Sequence, residues 1–194
     1  MVNNLRGKRC IFSFLTVLAI FCGFAGIVKG AESVAWSQHT NEYFSISYPS
    51  NWMVVDTPVE NMPSIEKMVV FSDMNARASI NVIVEDISAY NFSLEDYLEL
   101  SEENLELVSD IMTPINTYKN GNAIKLNVKG VDAYQISYGL NLCNQGVSLE
   151  GKNMQILFIK NKKAYVVTYQ ALNDQFDTFS AYADKAIESF RFTD

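Results

Sequence analysis

The sequence predicts an α+β domain built on a largely antiparallel sheet. Three observations carry this. Short apolar runs with a period of two recur along the chain, separated by tight turn signals. Only two stretches, one opening at Ser93 and one at Asp174, have helical spacing, and each is apolar along one side. The order is strands, one helix, more strands, one helix, so hairpins outnumber crossovers and each helix should cover the sheet with its apolar side.

Taken in order, Ala31 to Asn41 is polar apart from Val34, Ala35 and Trp36, with a short strand expected there. Phe44-Ser-Ile-Ser-Tyr48 alternates as a half-buried strand does, until Pro49-Ser50-Asn51 breaks it. Trp52 to Val55 forms the next strand, and the two read as a hairpin or one bent strand. Asp56 to Glu66, with Pro58 and Pro63, is a loop. Lys67 to Phe71 and Ala78 to Val84 make an antiparallel hairpin across a turn at Ser72 to Arg77, with Ile80, Val82 and Val84 on one face.

Ser93-Leu-Glu-Asp96 opens the first helix. The serine oxygen can accept an orphan amide, and acids in the first turn suit the helix dipole. Leu94, Tyr97, Leu98, Leu105 and Val108 mark its buried stripe. Strands resume beyond Pro114, with Asn120-Gly121 and Gly130 as turns on either side of Ala123 to Val128. Val131 to Leu142 is a long strand, and Asn141 to Lys152 is polar and reads as a loop. Met154 to Ile159 and Ala164 to Gln170 form a hairpin about Lys160 to Lys163. In the second helix, Asp174 to Glu188, residues Phe176, Phe179, Ala183, Ala186, Ile187 and Phe190 share a face. Ser189-Phe-Arg-Phe192 closes the chain as a short strand.

The N-terminus is a separate unit. Arg6, Lys8 and Arg9 precede an uncharged, mostly apolar run of 18 residues, Ile11 to Val28, and small residues surround a cleavage point after Gly30. Residues 1–30 are expected to be a signal peptide, or else an uncleaved anchor, since the run sits at the lower limit for spanning. Residues 31–194 form one domain of 164 residues, enough for a substantial core and expected to be monomeric. Either reading puts that domain outside the cytoplasmic membrane. Lipidation at Cys22 is disfavoured because bulky Phe21 stands where a small residue belongs. With Cys10 and Cys22 in the export segment, the domain keeps only Cys143 and cannot form an internal disulfide. Losing Arg6, Lys8, Arg9 and Lys29 takes the net charge from −7 to −11. That excludes nucleic acid as a natural partner and leaves the membrane reachable only through an uncleaved N-terminus.

The chemistry on offer is sparse. His39 is the only histidine, so any Ser-His-Asp or Cys-His site would have to use it; its polar neighbourhood reads as ordinary surface. Cys143 lacks a nearby general base and reads as a stray or core thiol. A classical zinc site needs more His and Cys ligands than the chain holds. Glu95, Glu99, Glu102 and Glu106 form a helical row, which reads as a solvated face, with a weak cation site or a docking face for a basic partner as the alternative. Glu85 and Asp86 are paired acids at a strand end. Ten tyrosines read as core and boundary packing, with a ligand groove as the alternative. No catalytic or cofactor-binding residue is assigned, and no metal ligand can be named.

Phe44-Ser-Ile-Ser-Tyr-Pro-Ser-Asn-Trp52 resembles the opening motif of PsbP-like domains. Lys129-Gly-Val-Asp-Ala-Tyr134 resembles their Gly-x-x-Ala-aromatic turn, and Ala164 to Ala171 with Phe176, Phe179 and Ser189-Phe-Arg-Phe192 is similar to their closing strand, helix and Ser-Phe ending. The resemblance spans about residues 34 to 194. It implies an α-β-α sandwich with a central antiparallel sheet covered by helices on both faces. It also implies a binding protein rather than an enzyme. Photosynthetic members are extrinsic lumenal proteins that help photosystem II retain calcium and chloride, other members are bacterial envelope proteins, and a distant relative of the fold binds a Ran-type GTPase. Here an export signal stands in place of a plastid transit peptide and no clear basic N-terminal docking segment is seen, which argues against a photosystem role; no metal or docking residue carries over, because none matches position by position. The expectation is a non-enzymatic exported domain docking on a membrane-associated or envelope protein complex. The alternative is an extracytoplasmic module binding a small molecule or a calcium-type cation.

Overall fold

The computed structural model describes residues 34–57, 62, 64–73, 78–106, 112–116, 121–144 and 147–193. The predicted export segment at 1–30, Val108 and Asn120 lie outside these residues, as does most of the turn predicted at Ser72 to Arg77. The strands are β1 (Trp36–Thr40), β2 (Phe44–Pro49), β3 (Met53–Thr57), β4 (Ile65–Asp73) and β5 (Ala78–Asp86), followed by helix α1 (Leu94–Glu106). Then come β6 (Met112–Asn116), β7 (Ile124–Val128), β8 (Val131–Asn144), β9 (Val147–Lys160) and β10 (Lys163–Leu172), helix α2 (Phe176–Ser189) and β11 (Arg191–Phe192). The α+β class holds, and every described strand pair is antiparallel.

One expectation is corrected at the outset. The strands form two sheets, not one: a three-stranded sheet in the order β1-β2-β11, and an eight-stranded sheet in the order β3-β4-β5-β10-β9-β8-β6 with β7 also on β8. The predicted pairing of Phe44–Tyr48 with Trp52–Val55 therefore does not form. The chain turns at Pro49, where the Trp52 amide donates to the Pro49 carbonyl at 2.9 Å, and β3 leaves to pair with β4. Proline closes β2 because it has no amide to extend the ladder.

A second correction concerns Asn141 to Lys152. Instead of a loop, β8 and β9 continue as one long hairpin, paired out to Asn144 and Val147. The polar majority there hid a strand whose pairing keeps the register of the preceding residues. Gly151 makes the approach possible: a Cβ on it would stand 2.9 Å from the Ala171 carbonyl oxygen. The loop predicted from Asp56 to Glu66 is also shorter, since β3 runs to Thr57 and β4 begins at Ile65 with a bulge before Lys67. Pro114 is accommodated inside β6, an edge strand with a bulge beside it.

The pleat divides the interior. Ile80, Val82 and Val84 of β5 join Tyr165, Val167 and Tyr169 of β10, Phe158 of β9, and Ala183, Ala186 and Phe190 of α2 in one apolar cluster. Phe44 and Ile46 of the small sheet complete it. The intervening residues Ile83, Val166, Leu157 and Ile136 gather with Tyr97 and Leu98 of α1 in a second cluster. Strands β5 and β10 thus carry apolar residues on both faces, which is why they read as nearly continuous hydrophobic runs.

Local chemistry sets the ends. The Asp96 amide donates to Ser93 Oγ at 3.0 Å and the Ser93 amide donates back to Asp96 Oδ2 at 2.9 Å, a reciprocal capping box that starts α1 as predicted. The Ser93 amide first, and then the Ser93 hydroxyl, which donates to Asp96 Oδ2 at 2.8 Å, hold the Asp96 carboxyl below its usual range. At the other end of the chain the Ser47 amide donates to Ser189 Oγ at 2.7 Å, while that hydroxyl donates to the Ala186 carbonyl at 2.6 Å. This clip fixes the C-terminus of α2 to β2.

Candidate functional site

His39 is not the surface histidine the sequence suggested. It sits on β1 with its side chain only 17% exposed, its ring 6.0 Å from Phe44 and edge-on to Phe71 at 5.7 Å. Nε2 lies 3.8 Å from Asp56 Oδ2, and Asp56 is already paired with Lys67 Nζ at 2.6 Å. Burial lowers the His39 pKa; Asp56 opposes that shift and Lys67 adds to it. The ring is a wedge between the two sheets, and it was missed because the contacts that bury it come from β2 and β4.

The paired acids separate. Glu85 faces α1, fully buried, and its Oε2 accepts a hydrogen bond from the Tyr97 hydroxyl at 2.9 Å. Asp86, the next residue in the pleat, accepts from the Ser88 amide at 2.8 Å, and the Ser88 hydrogen bonds hold its carboxyl below the usual range. Adjacent positions on a strand point to opposite faces, so the two carboxylates cannot serve one reaction.

The glutamate row is not one solvated face. Glu99 is exposed, but Glu95 is half-buried and accepts from the Tyr134 hydroxyl at 3.1 Å. Glu102 is buried beside Ser101. It follows Leu98 by four residues, so the row crosses the buried stripe of α1. Cys143 lies on β8 opposite Ser148. Among the described residues, no group of three or more His, Cys, Asp or Glu could hold a metal ion. No described helix is long and apolar enough to cross a membrane.

The tyrosines are mostly structural, as expected. Tyr97, Tyr138, Tyr165 and Tyr169 are among the largest fully buried side chains. Tyr169 donates to the Phe176 carbonyl at 2.7 Å, and burial pushes its hydroxyl and that of Tyr138 up in pKa.

Sequence reasoning missed a set of polar side chains inside the large sheet. On the side facing α1, Asn81, Thr168 and Gln155 stand opposite one another on β5, β10 and β9. Two residues further along, Ser72, Ser79, Gln170, Asn153 and Tyr138 make a second row from β4 to β8. All but Ser79 are buried. Gln155 Nε2 donates to Thr168 Oγ1 at 3.0 Å, joining β9 to β10 within the first row. The signal was present in the sequence as the polar member of each alternation, but it resembled the solvent side of a half-exposed strand.

Comparison with known proteins agrees with this fold. The PsbP family model matches residues 35–192. The solution structure of cyanobacterial PsbP (CyanoP) from Synechocystis sp. PCC 6803 superposes with a TM-score of 0.59 at 19% identity, covering 86% of this chain and 98% of that one. LpqN of Mycobacterium tuberculosis, described as involved in cell envelope biogenesis, superposes with a TM-score of 0.50 at 14% identity, covering 84% of this chain and 93% of that one. At these identities the likeness concerns the fold. No curated protein matches the chain.

Proposed function

Because the chain belongs to the PsbP family, we propose that it is a non-enzymatic, extracytoplasmic binding domain that docks on a membrane-associated or envelope protein complex. The observation that carries this reading is the inward use of His39 and Glu85. The single histidine is wedged between Phe44 and Phe71, and Glu85 is held by Tyr97 beneath α1. An acidic domain with its titratable chemistry spent on packing presents a surface suited to recognition rather than turnover. The basic, then apolar, N-terminus supports an address beyond the cytoplasmic membrane. The envelope role stated for LpqN is consistent with that address.

The test is affinity capture of the tagged full-length chain from solubilised host membranes, followed by reconstitution with the purified candidate. The expected result is one reproducible membrane-associated partner that binds directly and saturably. Failure to recover such a partner across several detergents would overturn the docking reading. A second reading, an extracytoplasmic module for a small molecule, is supported by a separate observation, the buried polar rows between α1 and the large sheet.

A further inference from the structure

The layer between α1 and the large sheet changes character along its length. At one end Ile83, Val166 and Leu157 meet Tyr97 and Leu98 in an apolar cluster, which Ile136 extends on β8 beside Gln155. Two and four residues along the strands the same face carries Asn81, Thr168, Gln155, Gln170 and Asn153. The helix changes with it: one turn beyond Tyr97 and Leu98, its buried stripe presents Ser101 and Glu102. Both sides of one layer thus turn polar while remaining buried.

Six polar atoms in this layer have no hydrogen-bond partner among the described residues: Ser72 Oγ, Asn81 Oδ1, Ser101 Oγ, Asn153 Oδ1, Gln155 Oε1 and Gln170 Nε2. Their residues are between 0% and 4% exposed. A buried, unpaired amide or hydroxyl is costly, and native interiors keep few of them. The sheet-borne ones occupy two rows about 7 Å apart on strands spaced about 4.8 Å. That is a two-dimensional array of donors and acceptors aimed into one layer.

We propose that this array, Asn81, Asn153, Gln155 and Gln170 together with Ser101 of α1, is a binding site for a small, uncharged polyhydroxylated ligand such as a monosaccharide or polyol. The unpaired groups are carboxamides and hydroxyls, which both donate and accept and carry no charge. A ligand hydroxyl does the same and can satisfy either kind. An anion would meet the buried acids Glu85 and Glu102. A hard metal ion would have no use for the Gln170 amide nitrogen, a donor that points to a hydrogen-bond acceptor. The proposal rests on the small-molecule reading above and is independent of docking.

The test is saturation-transfer difference NMR on the full-length chain in a sugar-free detergent. Neutral probes are glucose, inositol and glycerol; charged probes are betaine and acetate, and calcium chloride is followed by thermal shift. The expected result is saturable binding of at least one neutral hydroxylated probe. Gln170→Leu and Asn153→Leu should each weaken it about tenfold, the loss that 1.4 kcal/mol of hydrogen bonding represents. Far-UV circular dichroism checks their folding. Should a leucine variant fail to fold, Ser72→Ala and Ser101→Ala carry the test, each weakening binding by a few-fold. Probe binding that every folded variant leaves unchanged would overturn the site. Binding of charged probes alone would overturn the ligand class and leave the small-molecule reading standing. No binding by any probe, with a high-resolution crystal structure showing only ordered water on these six atoms, would overturn both.

Discussion

Phe190 is where the two sheets and α2 meet, and its removal should divide them. The side chain is 1% exposed. Its ring stacks on Phe44 of the small sheet at 5.6 Å and meets Phe158 of the large sheet edge-on at 5.2 Å, with Phe192 at 5.3 Å. Truncating a fully buried phenylalanine to alanine costs about 3–5 kcal/mol, transfer and cavity together. Phe190→Leu keeps most of the apolar volume and loses only the ring geometry, so it should cost less than Phe190→Ala, about 1–2 kcal/mol. Urea unfolding followed by tryptophan fluorescence suits the question, because Trp36 and Trp52 both contact Tyr182 of α2, at 6.1 and 6.4 Å. Native-state hydrogen exchange adds location. In Phe190→Ala the amides of β2 should lose protection before those of Val166 and Val167 in β10, since this contact is among those that hold the small sheet to the large one. A cost below about 1 kcal/mol for Phe190→Ala would refute the reasoning, because no core phenylalanine in this geometry could be removed so cheaply. Equal loss of protection in both sheets would refute the joint.

Three further outcomes follow from single contacts. Gly151→Ala would bring a Cβ to 2.9 Å from the Ala171 carbonyl, so backbone must move, and denaturant unfolding should show a loss of about 1–3 kcal/mol. Tyr97→Phe removes the donor to buried Glu85 and should cost about 1.5–3 kcal/mol, whereas Tyr134→Phe, which releases half-buried Glu95, should cost less than about 1 kcal/mol. The His39 pKa is depressed in the folded state, so the unfolded chain binds more protons as pH falls through the ordinary value of 6.5. That contribution to stability is complete above 6.5 and is lost below it, down through the depressed value. Unfolding curves for wild type and His39→Gln between about pH 8 and pH 5 should therefore converge toward the acid side; parallel curves would show that His39 titrates alike in both states.

Much of the fold was legible because the chain states it locally. The capping box at Ser93 and Asp96, the two positive-φ residues Asn161 and Lys162 between β9 and β10, and the phenylalanines of α2 all lie within a few residues of the partners that give them meaning. The errors lie where meaning is long-range. Phe44–Pro49 and Met53–Thr57 are neighbours in sequence and go to different sheets, because β2 finds its second partner in Arg191 and Phe192, nearly the whole chain away. The hairpin extension at Asn141 to Lys152 alternates only briefly, at Leu142 and at Val147 and Leu149 among polar residues, and its pairing continues the register of Ala133 to Leu140.

The same reasoning explains why the candidate site was invisible. On β5, Ile80, Val82 and Val84 announce a buried face, and Ser79 and Asn81 on the opposite face read as the wet side. On α1, the stripe of Leu94, Tyr97, Leu98 and Leu105 is interrupted at Ser101 and Glu102, which read as a lapse toward solvent. Each inference is sound taken singly, since an isolated polar residue in an amphipathic pattern is usually exposed. The structure places the two lapses in one buried layer. Gln155 and Thr168 come from facing strands, Asn81 from a strand far earlier in the chain, and Ser101 from the helix between. A random coincidence of solvent faces would leave them exposed; burial of Asn153, Gln155, Thr168, Gln170 and Ser101 within 2% of complete requires that the sheet and α1 close over polar groups. Leucine at these positions would be the simpler solution for stability alone. The persistence of polarity on both sides of a closed layer is therefore the feature of this domain that its fold does not need, and the one most in want of a ligand.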